Sequence, residues 1–270
     1  MHSICFNIGR LPIYWYGVMM ALGFFCGLAS WTVLGRREGR NFNFCADLLF
    51  WIMVSGIIGA RLVYVVSDFR YFLVKPLMIL RVDQGGLIYY GGFIGATLAI
   101  FVFAKIRSEK LLPLSDFTIT SVPLAHAFGR IGCFLNGCCH GKEYDDLFAV
   151  SYPSDSFAWW LQTHMGKINR FEPRSLPVHP VQLYEAAFNV VLYLFLIWAY
   201  RRRRQDGGII ALYLLTYSFA RFWFEFLRGD ERMKWMGLSV AQLISAFLFL
   251  VGVGLLVTSR RSQVKNQEVR

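Results

Sequence analysis

Gly237-Leu-Ser-Val-Ala-Gln-Leu-Ile-Ser-Ala-Phe-Leu-Phe-Leu-Val-Gly-Val-Gly-Leu-Leu-Val-Thr258 runs for 22 residues without a charged side chain. A helix crosses a hydrocarbon layer about 30 Å thick in roughly 20 residues. Peptide groups at that depth have no water to bond, so the chain must satisfy them itself, as a helix does. Working outward, apolar stretches recur at 13–34, 47–67, 86–106, 116–137, 181–200 and 208–228. Their length and their lack of strict alternation favour helices over strands. The expectation is an all-α polytopic membrane protein: seven transmembrane helices in a single domain over residues 1–270.

Composition agrees with this. The chain is 56% hydrophobic and only 17% charged, against about 25% charged in a soluble domain. That excludes a disordered chain, a coiled coil and an ordinary soluble enzyme. The net charge of +11 does not point to nucleic acid, because most basic residues lie in short tracts between apolar runs. There they act as topology signals and contacts for anionic headgroups. Alternate loops and the C-terminal tail hold Arg36, Arg37, Arg40, Lys105, Arg107, Lys110, Arg201 to Arg204, Arg260, Arg261, Lys265 and Arg270. Their local charge is +8, against +2 on the other side. The positive-inside bias then puts the N-terminus outside and the C-terminus in the cytoplasm.

The connection 142–180 is long, and long connections are commonly functional or fold by themselves. It predicts a small extracytoplasmic head, with Trp159-Trp160 placed to anchor at the interface. The N-terminus reads as lacking a removable signal peptide.

Ionisable residues inside spans carry a desolvation cost and mark sites. The fourth span reads His126-Ala-Phe-Gly129-Arg130-Ile-Gly-Cys133-Phe-Leu-Asn136-Gly137-Cys138-Cys139-His140-Gly141. Continued as a helix, residues 126, 130, 133, 137 and 140 share one face. The planar fork of a guanidinium suits a phosphate or a carboxylate; pairing of Arg130 with Glu185 or Glu225 for structure alone is the alternative. In the sixth span Tyr213, Tyr217, Arg221, Glu225 and Arg228 form a second stripe, and Arg221 and Glu225 are spaced to pair. Two such stripes suggest an anion-attracting cavity. The third span opens Gln84-Gly-Gly-Leu-Ile-Tyr-Tyr90-Gly-Gly, with Tyr90 either a proton-handling group or a belt tyrosine. The fifth opens His179-Pro180-Val-Gln182-Leu-Tyr-Glu185, with Pro180 suited to a helix start.

The cysteines lie mostly in or beside apolar runs, unlike a disulfide-stapled secreted domain. C-x4-C-C-H matches no standard zinc spacing, so no metal is expected. Two other classes remain open on these residues: a thiol oxidoreductase using Cys138 and Cys139, and a lipid or anion carrier.

Taken together, these blocks resemble those of the prolipoprotein diacylglyceryl transferase family over nearly the whole chain. The resemblance rests on Tyr16-Gly17, Gly59-Ala-Arg61-Leu, Gly85-Gly-Leu-Ile-Tyr-Tyr90-Gly-Gly92, Gly129 to Gly141, His179 to Glu185, and Arg221-Phe-Trp-Phe-Glu225-Phe-Leu-Arg228. It implies an enzyme of the bacterial inner membrane that acts in lipoprotein biosynthesis. The reaction moves the diacylglyceryl group of phosphatidylglycerol to the lipobox cysteine thiol of a preprolipoprotein signal peptide, and glycerol 1-phosphate is released. Signal peptidase II acts next, and no metal or organic cofactor is implied. Carried onto this chain, Arg130, Arg221 and Tyr90 are the expected catalytic residues. Arg130, Tyr16, Asn136, Gly141, Glu225, Arg228 and Arg61 are the expected substrate contacts. The best-known members have His at the position of Tyr90, Asn at that of Cys133 and Glu at that of Cys138. Candidate acceptors for the thiol proton are Tyr90, His126, His140 or solvent.

Overall fold

A computed structural model describes residues 4–9, 11–81, 85–203, 205–230, 234–235 and 237–268. Gln84, Arg204 and Arg270, used above, lie outside the described residues. The chain is mostly helical and divides into two compact units, Ser30–Phe117 and the pair of segments Met1–Ala29 and Thr118–Arg270.

In chain order, strands β1 (Ile4–Ile8) and β2 (Leu11–Tyr14) pair antiparallel and lead into helix α1 (Trp15–Gly35). Then come α2 (Phe42–Ser67), α3 (Phe69–Val74), α4 (Tyr89–Ile106), α5 (Leu111–Ile119), α6 (Val122–Leu135), α7 (Phe157–His164), α8 (Val181–Arg201) and α9 (Gly208–Leu227). Strands β3 (Lys234–Trp235) and β4 (Leu238–Ser239) precede α10 (Val240–Glu268). The all-helical expectation therefore misses two small hairpins. In the first, Gly9 supplies the turn at φ 61°, a conformation open to a residue without Cβ.

Among the described residues, six helices are long and apolar enough to cross a membrane: α1, α2, α4, α8, α9 and α10. The fourth expected span is broken in two. Pro123 has no N–H to give the Ile119 carbonyl, so the helix stops at Thr120-Ser121 and restarts as α6. The 14 residues of α6 rise about 21 Å, short of a full crossing.

Within the unit Ser30–Phe117, α2 and α4 pack backbone against backbone. A Cβ at Gly59 would strike the Gly91 carbonyl, and one at Gly95 would strike that of Ser55. Small residues at a crossing permit such approach in an apolar medium. Asn41 caps α2, its side chain accepting from the Phe44 N–H at 2.8 Å.

In the other unit α6 packs on α8, α8 on α9 and α9 on α10. Residues 142–180 fold around the fully buried Tyr152, Ala158 and Val178. Bridges join Val150 to Val178 and Pro153 to Arg174, and Ser156 caps α7. Trp159 donates its indole N–H to the Glu172 carbonyl at 2.7 Å, so its polar end is engaged inside this segment.

Candidate active site

The helix α6 ends where its sequence tells it to. Gly137 takes φ 68°, its N–H reaches the Phe134 carbonyl at 3.1 Å, and the Cys138 N–H reaches back to Cys133 at 3.1 Å. This is a Schellman stop, with glycine in the left-handed position. The expected helical face through residues 137 and 140 is therefore corrected: the chain has left the helix by then. Cys139 follows, also left-handed at φ 63°. From α8, Gln182 donates to the Cys138 carbonyl at 2.7 Å and to the Tyr152 hydroxyl at 3.1 Å, which holds the turn.

Glu185, buried on α8, gathers the arginines. Its Oε2 lies 2.8 Å from Arg130 Nε and its Oε1 3.7 Å from Arg228 Nη1. Arg130 Nε donates to His126 Nε2 at 3.1 Å. The lone pair of that nitrogen thus faces the guanidinium. The two terminal nitrogens of Arg130 have no hydrogen-bond partner among the described residues.

Arg221 pairs with Glu225 at 2.8 Å, one turn apart on α9. Tyr217 stacks on Tyr213 at 5.3 Å, and its ring lies 5.4 Å from that of His126. His126, flanked by Arg130 and Arg221, links the two polar stripes.

Arg228 is engaged differently from expectation. It donates through Nε and Nη2 to the two Asp230 oxygens at 2.8 and 2.9 Å, and its side chain is only 2% exposed. With Glu185, Glu225 and Asp230 against Arg130, Arg221 and Arg228, the cluster is charge-balanced. The strongly cationic cavity read from spacing is thus corrected, because the fold supplies a carboxylate for each guanidinium. Asp230 was missed; its signal was an acid two residues beyond the arginine at a helix end.

Gly141 pairs with Arg228 in an antiparallel bridge. A Cβ there would strike His179 and Val181, and its carbonyl fills the space beside Gly229. It serves close backbone packing. Tyr16 and Asn136 do come together: with Pro12, Ile13, Tyr14 and Gly17 they line an open cavity of ≈ 580 Å³. His140 is buried, with Nδ1 2.9 Å from the Gly141 carbonyl. Its Nε2 has no partner among the described residues.

Tyr90 and Arg61 belong to the unit Ser30–Phe117. Tyr90 opens α4, half-exposed beside Tyr89. All five guanidinium hydrogens of Arg61 go to backbone carbonyls: Nε to Ile79, Nη1 to Gly85 and Gly86, Nη2 to Met78 and Arg81, at 2.5–3.0 Å. With every donor used, Arg61 organises the loop before α4. Gly85 and Gly86, at φ 83° and 74°, turn their carbonyls to it.

A family model described as prolipoprotein diacylglyceryl transferase matches residues 3–258. A protein of Clostridium perfringens named phosphatidylglycerol–prolipoprotein diacylglyceryl transferase 2 is 31% identical, over 94% of this chain and 93% of its own length. Proteins named phosphatidylglycerol–prolipoprotein diacylglyceryl transferase from Clostridium tetani and Paraburkholderia phytofirmans are 32% and 35% identical. They cover 94% and 96% of this chain, and 96% and 93% of their own lengths. The matched residues take in both polar stripes, the glycine-stopped turn and Arg61, and the chain belongs to the prolipoprotein diacylglyceryl transferase family.

Proposed function

We propose that this chain transfers the diacylglyceryl group of phosphatidylglycerol to the cysteine thiol of a prolipoprotein lipobox. The thiolate attacks the glyceryl carbon, a C–S bond forms, and the C–O bond to the phosphate breaks. The electron pair leaves with glycerol 1-phosphate, and the thiol proton passes to an acceptor. Charge grows on the leaving phosphate, so fixed donors around it stabilise the transition state more than the ground state.

One observation carries this reading. Glu185 and His126 hold Arg130 through Nε alone, which aims and braces the guanidinium while leaving its terminal nitrogens for a phosphate. Arg221, oriented by Glu225, is assigned to the developing glycerophosphate charge. Tyr16 and Asn136, beside a cavity with an apolar floor, are assigned to the headgroup. Arg228, Gly141 and Arg61 act as positioning residues: Asp230 takes two nitrogens of Arg228, Gly141 bridges Arg228, and every donor of Arg61 is used. Tyr90, at the position of the family's His, is assigned to the thiol as a hydrogen-bond partner. The surroundings proposed for this chemistry are a bacterial inner membrane and seven crossings, α5 and α6 together making the broken one. The N-terminus and the 142–180 head lie outside, the C-terminus lies in the cytoplasm, and signal peptidase II acts next. Purified protein given phosphatidylglycerol vesicles and a lipobox peptide should release glycerol 1-phosphate and yield a thioether-linked peptide. Binding of both without release would leave a carrier instead.

A further inference from the structure

Three sulfurs converge beside the phosphate site. The Sγ atoms of Cys133, Cys138 and Cys139 all lie within 4.8 Å of one another. The Schellman stop puts Cys138 back over Cys133, and the left-handed Cys139 turns its own thiol inward. Arg228 lies against the Cys139 sulfur, Tyr16 is within electrostatic range of all three, and Arg130 is within range of Cys133.

We propose that Cys133, Cys138 and Cys139 form a three-thiolate site for one thiophilic d10 cation, Zn²⁺ as the reference ion, with its fourth position left to an incoming ligand. The spacing C-x4-C-C-H had argued against a metal because it matches no standard zinc pattern. Here the third sulfur comes from the end of a helix. With Zn–S bonds near ~2.3 Å, tetrahedral geometry sets sulfurs about 3.8 Å apart, so small side-chain rotations close the site. A disulfide would use two of the sulfurs and leave the third without a purpose.

Binding is written Zn²⁺ + 3 RSH → [Zn(SR)₃]⁻ + 3 H⁺, less any proton already lost. In the metal-free chain the Cys138 thiol lies 3.7 Å from the Cys133 carbonyl, a contact it exchanges for the ion. Resting on the function proposed above, the fourth ligand is the acceptor thiol, which a bound cation deprotonates without a strong base. That is the task for which this chain has no histidine at position 90.

The test uses the full chain in detergent, purified with Zn²⁺ in excess and then desalted. Elemental analysis should find roughly one ion per chain, falling to about a tenth or less in Cys133→Ser and in the triple serine variant. Metal retained equally by the folded variants overturns the site. So does a wild-type chain that stays metal-free and loses two free thiols to a disulfide. If the variants do not fold, Co²⁺ loaded into the wild-type chain decides: thiolate-to-cobalt charge-transfer absorption supports the site, and its absence overturns it. A lipobox cysteine peptide, but not its serine counterpart, should alter that spectrum; an unchanged spectrum overturns the fourth-ligand assignment alone. None of these readouts requires turnover, so failure of the glycerol 1-phosphate assay is a separate result.

Discussion

Arg130 and Arg228 share the Glu185 carboxylate, yet they differ in what they have left to give. Arg228 is closed by Asp230, whereas Arg130 keeps the open end of its fork. Arg130→Lys retains the charge but loses the planar geometry. Release of glycerol 1-phosphate should fall about 100-fold, as for loss of one preorganised donor, with the protein still folded; near-wild-type turnover would refute the phosphate role. Asp230→Asn acts on stability instead. It leaves a buried guanidinium short of its partner, at about 3 kcal/mol, readable as an earlier denaturation midpoint in detergent. That spacing places Arg130 and Arg221 on polar stripes was legible in the chain. The Arg221–Glu225 pair was legible too, from its one-turn spacing; the partner of Arg130 was legible only as alternatives, because Glu185 and Glu225 are both within reach of a one-dimensional argument.

Elements here are joined by backbone contact and by a few directed bonds. Gly95→Leu at the α2–α4 crossing forces a side chain onto the Ser55 carbonyl. It should destabilise by about 2 kcal/mol or more, measured by thermal unfolding of the detergent-solubilised chain. Gln182→Leu removes the donor that α8 gives to the Cys138 carbonyl and to Tyr152. An unsatisfied buried carbonyl costs about 1–3 kcal/mol, so amide exchange in residues 137–141 should quicken while that in α2 is unchanged. Unaltered exchange would show that the turn stands without α8. The glycines of these elements were legible as packing residues. The helix stop at Asn136-Gly137 was equally visible in the chain but was outweighed by an apparent face running on to residue 140. Local stop chemistry overrides periodicity, because a left-handed residue redirects every later side chain.

For the whole molecule the testable statement is topology. Phe171 is 99% exposed within the 142–180 segment. Phe171→Cys should react with a membrane-impermeant maleimide from outside intact cells, and a fluorescent protein fused after residue 270 should be protected inside. Labelling only after lysis would reverse the orientation. The chain by itself determined the number and length of its apolar runs, their helical state and the charge bias between them. These follow from a local demand, since each peptide group in hydrocarbon must be satisfied within its own segment. Tertiary structure alone decided that Glu185 holds Arg130 and Asp230 holds Arg228, that Arg61 serves a loop, and that three sulfurs meet. Those outcomes depend on groups carried by separate elements into one low-dielectric space, where an ion or a polar atom accepts whichever partner the fold delivers.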